Sequence, residues 1–245
     1  MNKNFTILIQ GKLNYECLDF FVKNYNDTPI VISGWNNDYH IYETIKNKYK
    51  NLNNIIPTFS EMPSNFGPAN FNLQCISTIN GLKFVKTYIV IKIRGDEYYS
   101  NLNNLIPKII EKRKIYCSPI FFRSMKYWGL NYRYHISDHI LAGYTKDIYE
   151  MFSNAHRNFL NGIFFCETCL TISYLEYKGF TNLENLTEGR KFMIENFDII
   201  DLKTLIPYKM VSNTIGYTWY SNYSIDYKEG ECDQLINCID NINDL

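Results

Sequence analysis

Tyr88-Ile89-Val90-Ile91-Lys92-Ile93-Arg94-Gly95-Asp96-Glu97 is the stretch on which the reading of the fold turns. Its apolar residues run on continuously instead of alternating with polar ones, the pattern of a strand covered on both faces at the centre of a parallel sheet. The run leaves the sheet through a charged exit, Arg94 to Glu97. Upstream, Leu73, Ile76, Leu82 and Val85 predict a helix leading into the strand. Before that helix, Pro57, Pro63, Gly67 and Pro68 punctuate what reads as an irregular loop. Further back, residues 5–10 form a short apolar run ended by Gly11, and Leu18, Phe21, Val22 and Tyr25 recur at helical spacing before a second run, Ile30-Val31-Ile32. That succession is a βαβ unit. Ser33-Gly34-Trp35 and Asn36-Asn37-Asp38 read as a polar turn closing the second strand, followed by a helix over residues 41–49.

Downstream the pattern loosens. Helices are expected over 104–112, from about Thr145, over 167–177 and over 186–196, with short strands near Ile115 and over 197–200. Between them lie an aromatic stretch through Phe121, Phe122, Tyr127 and Trp128, and the segment Tyr134-His135-Ile136-Ser137-Asp138; the chain closes in a tail rich in Tyr and Asn. Strands alternating with helices predict an α/β fold with a mostly parallel, helix-flanked sheet. No linker or internal repeat divides residues 1–245, which are expected to form one domain.

Composition narrows the function classes. The 245 residues carry no formal net charge, with 46% hydrophobic and 20% charged residues, which excludes a disordered or fibrous chain and gives no reason to expect a nucleic acid partner. The 21 Tyr, 16 Phe and roughly thirty Asn, set against three alanines (Ala69, Ala142 and Ala155), read as AT-rich coding bias. That bias discounts the Asn-x-Ser/Thr matches at Asn4, Asn26, Asn185 and Asn222. The start of the chain lacks the apolar core and cleavage site of a signal peptide, and no stretch approaches membrane-spanning length. Seven scattered cysteines do not form a secreted disulfide framework, so a cytoplasmic location is expected.

In open parallel sheets ligands bind beyond the carboxyl ends of the strands. Of the strand ends here, Gln10-Gly11, Ser33-Gly34-Trp35 and Arg94-Gly95-Asp96-Glu97, the last carries concentrated charge. Alternation puts Lys92, Arg94 and Asp96 on one side and argues against Glu97 facing the same way. A carboxylate such as Asp96 can hold a divalent cation that bridges the phosphates of a nucleotide. An Arg/Asp pair in a solvated loop is the alternative these residues leave open.

The residues quoted so far resemble a known family. Asn72-Leu73-Gln74-Cys75-Ile76-Ser77-Thr78, Gly81-Leu82 and the run Tyr88 to Glu97 look like the core pattern of the WavE lipopolysaccharide-synthesis family. The segment Ile136-Ser137-Asp138-His139-Ile140-Leu141-Ala142-Gly143 resembles its second block, and Ile7 to Gly11 with Ile32 to Trp35 its opening strands. The likeness covers roughly the first 150 residues in order and weakens after that. It implies a GT-A-like, Rossmann-like glycosyltransferase, with residues 1–100 holding a nucleotide-sugar donor and a more irregular, helical half, 101–245, holding a glycan or glycoconjugate acceptor.

In that fold the acidic motif after the central strand is usually Asp-x-Asp, whereas here Arg94 stands in place of the first carboxylate. Two arrangements follow. Asp96 holds Mn²⁺ or Mg²⁺ through a single carboxylate, the preferred reading, or Arg94 neutralises the diphosphate while Asp96 grips the donor ribose or sugar. The resemblance places Gln10, Gly11, Ser33 and Trp35 at the base and ribose, with Trp35 able to stack on the base, and lets Asn72, Gln74 and Thr78 present polar groups to the donor. It makes Asp138 the leading candidate for catalytic base or substrate ligand, an N-cap before residues 139–141 being the alternative. Glu167, opening a helix in the acceptor half, is a second candidate for the base.

Two other function classes stay open at this level. One is a nucleotidyltransferase on a related scaffold, against which the lack of a Gly-rich basic loop near Gly11 counts. The other is a catalytically inactive glycan-binding protein using the aromatics at 121–128. Cys166-Glu167-Thr168-Cys169 has the spacing of half a zinc site, but Cys232 and Cys238 are too far apart in sequence to complete it.

Overall fold

The structure is a computed structural model describing residues 4–49, 51–118, 133–158, 165–205, 208–210 and 220–221. The aromatic stretch at 121–128, Cys232, Cys238 and Asn222 lie outside the described residues. Four parallel strands come first in the sheet: β1 (Phe5–Gln10), β2 (Ile30–Trp35), β3 (Ile55–Ser60) and β4 (Ile89–Arg94). They alternate with helices α1 (Tyr15–Asn24), α2 (Tyr39–Lys48) and α3 (Phe71–Leu82). Beyond β4 come β5 (Glu97–Tyr99), α4 (Leu105–Lys112), β6 (Ile115–Cys117), β7 (Ile140–Tyr144), α5 (Thr145–Arg157), α6 (Cys166–Tyr177), α7 (Leu186–Asn196) and β8 (Phe197–Ile199). The main sheet has seven strands in the order β3-β2-β1-β4-β7-β6-β8, in which β7 runs against both its neighbours and the other pairings are parallel. The fold is therefore α/β with a mostly parallel sheet flanked by helices, and β4 is its middle strand. β5 joins β9 (Tyr208–Met210) and β10 (Tyr220–Ser221) in a small antiparallel sheet.

The strands alternate sides, and each side has its own core. Ile7, Ile9, Ile30, Ile32, Ile89, Ile91 and Ile93 face one layer with Leu18, Phe21, Ile45 and Ile109 of α1, α2 and α4. Leu8, Val31 and Val90 face the other with Cys75, Phe152 and Leu170 of α3, α5 and α6. The continuous apolar pattern of β4 thus reflects two buried faces. On the second face α3 lies close against the sheet at Gly81, where an added Cβ would fall 2.4 Å from Leu8 Cδ1 and 2.8 Å from Ser33 Cβ.

Three local expectations are corrected. Ser33-Gly34-Trp35 is not a turn but the second half of β2. The supposed loop at Pro57 is β3, and its position at the sheet edge explains the proline, since a residue without an N–H is tolerated where one side of a strand has no neighbour. Residues 139–141 do not begin a helical segment. They run into β7, so Asp138 is no N-cap. Among the described residues, no helix is long and apolar enough to cross a membrane.

Candidate functional site

Three strand exits are stitched together by main-chain hydrogen bonds. Gly95 N donates to Gln10 O at 2.8 Å, Asn14 N donates to Gly95 O at 2.9 Å, and Gly11 N donates to Ser33 O at 2.9 Å. A Cβ at Gly95 would lie 2.5 Å from Lys12 O, so the glycine is required by the approach of the β1–α1 loop. Gly11 takes a φ of +86°, and its Cβ position opens on empty space. The same loop is held from the β2 side, where Asp38, buried, accepts a bond from Leu13 N at 3.1 Å.

At the exit of β4 the two acidic blocks of the sequence meet. They do so because β7 runs antiparallel beside β4, with Ile140 opposite Ile93, which brings the residues preceding β7 to the carboxyl end of β4. Lys92, fully buried, donates to Asp138 O at 2.5 Å and lies 3.5 Å from Asp138 Oδ2, its ammonium 5.7 Å from the centre of the Phe152 ring. Arg94 grips Asp96 with two parallel bonds, Nε to Oδ1 and Nη2 to Oδ2, each 3.0 Å. Its Nε is also 3.3 Å from Glu97 Oε1. Glu97 in turn accepts from Tyr99 Oη at 2.8 Å and contacts His139 Nδ1.

Burial pushes the Asp138 carboxyl up, but Lys92, His139 and Arg94 more than offset it, holding the group below the usual carboxylate range. Burial pulls the Lys92 ammonium below its ordinary value, against the opposing pull of Asp138. Burial also works against the charge on Arg94, and Asp96 and Glu97 outweigh it. The result is a compact ion cluster in which Lys92 and Arg94 face Asp96, Glu97 and Asp138, with His139 against Glu97.

Exposure sorts the members. Side-chain exposure is 33% for Arg94 and 20% for Asp96, against 0% for Lys92, 2% for Glu97 and 6% for Asp138. The Arg94–Asp96 pair is the solvent-facing part of the cluster. Asp138, expected as a base or substrate ligand, is held by Lys92, and a buried carboxylate kept in its ionised form is a weak proton acceptor. Glu97, expected to face away, joins the cluster because the turn at Gly95 and Asp96 breaks the strand alternation. Glu167, in the first turn of α6 and 29% exposed, lies 3.7 Å from Nε2 of buried His135.

The remaining predicted residues are less available. Gln10 and Ser33 are buried and tied to α3: Ser77 Oγ donates to Gln10 Oε1 at 2.7 Å, and Ser33 Oγ donates to Ser77 O at 2.6 Å. Trp35 is 2% exposed, which leaves its ring no open face for a base. Asn72 donates to Asn65 O at 3.2 Å, and Gln74 is half-buried. Thr78 is fully buried, its Oγ1 without a hydrogen-bond partner among the described residues. Lys92, His139 and Asp38 join the exit without being expected as catalytic or ligand-binding residues, although Lys92 is placed beside Arg94 by alternation and His139 adjoins Asp138. The signal at Lys92 is a single ammonium inside an apolar run, Ile89 to Ile93.

The donor set fits a divalent cation poorly. Mn²⁺ and Mg²⁺ need several hard oxygen ligands. Both Asp96 oxygens are engaged by Arg94, Glu97 is buried behind it, and among the described residues no three His, Cys, Asp or Glu side chains are grouped to hold a metal. Cys166 and Cys169 are both buried in the first turn of α6.

Fold and site together define an α/β protein with a charged cluster at the carboxyl end of its middle strand. No family model matches the chain, and no curated protein matches it. Among solved structures it is similar to a candidate glucose-1-phosphate thymidylyltransferase of Bacillus anthracis in complex with a sucrose, at 12% identity over 84% of this chain and 88% of that one, with a TM-score of 0.48. It is also similar to 4-diphosphocytidyl-2C-methyl-D-erythritol synthase of Anaerococcus prevotii, at 18% identity over 61% and 75%, TM-score 0.40. A third is the glycosyltransferase GlyE of Streptococcus pneumoniae, at 9% identity over 83% and 46%, TM-score 0.41. These likenesses transfer no activity or residue role to this chain.

Proposed function

We propose that the chain is a glycosyltransferase that moves a sugar from a nucleotide-sugar donor to a glycan or glycoconjugate acceptor. The observation that carries the reading is the Arg94–Asp96 pair, the exposed part of an otherwise buried ion cluster, at the carboxyl end of the middle strand, where α/β sheets bind ligands. Its residues are those of the Arg-Gly-Asp block in the resemblance to the WavE family. In this reading the nucleotide lies over the Gly11 loop, where the open space beside the glycine admits a ligand close to the backbone. The diphosphate meets Arg94. The acceptor hydroxyl oxygen bonds to the anomeric carbon as the bond from that carbon to the diphosphate oxygen breaks, and the hydroxyl proton passes to a carboxylate. Glu167, partly exposed and beside His135, suits that role better than Asp138, which holds Lys92 and positions the residues before β7.

The test is product analysis with a panel of uridine, guanosine, cytidine and thymidine nucleotide sugars and oligosaccharide acceptors. Release of a nucleoside diphosphate with a lengthened glycan is the expected outcome. Glu167→Gln should lower kcat by about 10²–10⁴-fold while donor Kd changes less than about twofold. Formation of pyrophosphate and a nucleotide sugar from a nucleoside triphosphate and a sugar phosphate would contradict the proposal.

A further inference from the structure

We infer that Arg94 takes the place of a divalent cation at this site: the donor's diphosphate enters the guanidinium fork that Asp96 occupies in its absence, and Asp96 is released by the exchange. The inference rests on the donor-binding reading above and says how the negative charge of the leaving group is met. A guanidinium presents two parallel N–H groups to a carboxylate or a phosphate alike. Asp96 fills that fork with both oxygens at 3.0 Å, as a phosphate would with two of its own. The pair is partly exposed, so a ligand reaches it without opening the core.

Arg94 does not depend on Asp96 for its position. Glu97 Oε1 is 3.3 Å from Nε and contacts His139 Nδ1, while Tyr99 Oη donates to Oε2, so the guanidinium keeps an anchored partner once Asp96 leaves. Lys12 is an exposed cation with no ion-pair partner among the described residues, and its carbonyl abuts Gly95. A divalent cation on Asp96 would instead face the Arg94 guanidinium, with one partly exposed carboxylate to hold it. Two like charges at contact distance disfavour that arrangement.

The exchange predicts a sign that metal binding by Asp96 does not. Binding of inorganic pyrophosphate, UDP and GDP to the full chain is measured by calorimetry, in EDTA and in Mn²⁺. At least one probe should bind in EDTA, with Kd changing less than about threefold on adding Mn²⁺. Asp96→Asn, which removes the competing carboxylate, should tighten binding by about three- to tenfold. Arg94→Lys, keeping the charge without the fork, should weaken it about tenfold, and Arg94→Ala by about a hundredfold. Weaker binding in Asp96→Asn, binding that requires Mn²⁺, or no binding of any probe would overturn the inference. Should Arg94→Ala fail to fold, Asp96→Asn and Arg94→Lys decide the matter. Sugar transfer that needs Mn²⁺ would refute the inference and leave the glycosyltransferase reading intact. Arg94-dependent diphosphate binding without sugar transfer would do the reverse.

Discussion

Lys92 has no exposed surface, and its ammonium is met by Asp138 and by the ring of Phe152. Removing one partner of such a buried pair leaves the other charged and uncompensated, so Lys92→Met should cost about 3–5 kcal/mol in urea denaturation. Lys92→Met combined with Asp138→Leu should recover most of that loss, because no unpaired charge remains. The pH dependence follows from Asp138. Its folded carboxyl titrates below the unfolded value of about 4, so its contribution is complete above that pH and is lost as pH falls through the folded value. In Lys92→Met the Asp138 pKa should rise, and the acid limb of the stability profile should move to higher pH. Arg94 and Asp96 were legible from sequence as charges concentrated at a strand end. Glu97 was not, because the turn at Gly95 and Asp96 breaks the alternation that a straight strand implies. Asp138 was legible as a carboxylate of interest, but its burial against Lys92 depends on strand pairing that no local pattern encodes.

Among the elements, the exits of β1 and β4 are joined at Gly95, and an added methyl would meet the main chain of Lys12, which cannot swing aside as a side chain could. Gly95→Ala should therefore lower stability by about 1–3 kcal/mol and shift the Arg94 fork, reducing diphosphate affinity in parallel. Full diphosphate affinity in that variant would show that the junction does not position the site. The same scale explains which elements the sequence announced. α7 was expected over 186–196 and is found at Leu186–Asn196, and β4 was readable from its unbroken run. β3 was hidden by Pro57, which reads as a breaker until the strand is known to be an edge. β7 was hidden because Ala142 and Gly143 dilute its apolar signal, and its burial comes from β4 and β6 on either side.

Across the whole molecule, helices cover both sides of a seven-stranded sheet, so the polar side chains of its middle strand gather at one end. The neutral net charge conceals this, since charges of both signs meet in the cluster at the β4 exit. The central claim is that this exit receives a nucleotide sugar. A thermal-shift panel of nucleotide sugars on the wild-type chain and on Arg94→Ala tests it most directly. The account predicts that at least one nucleotide sugar raises Tm in the wild type, in EDTA as well as in Mn²⁺, and that the shift disappears in Arg94→Ala. A shift of the same size in Arg94→Ala, or none with any nucleotide sugar, would contradict it.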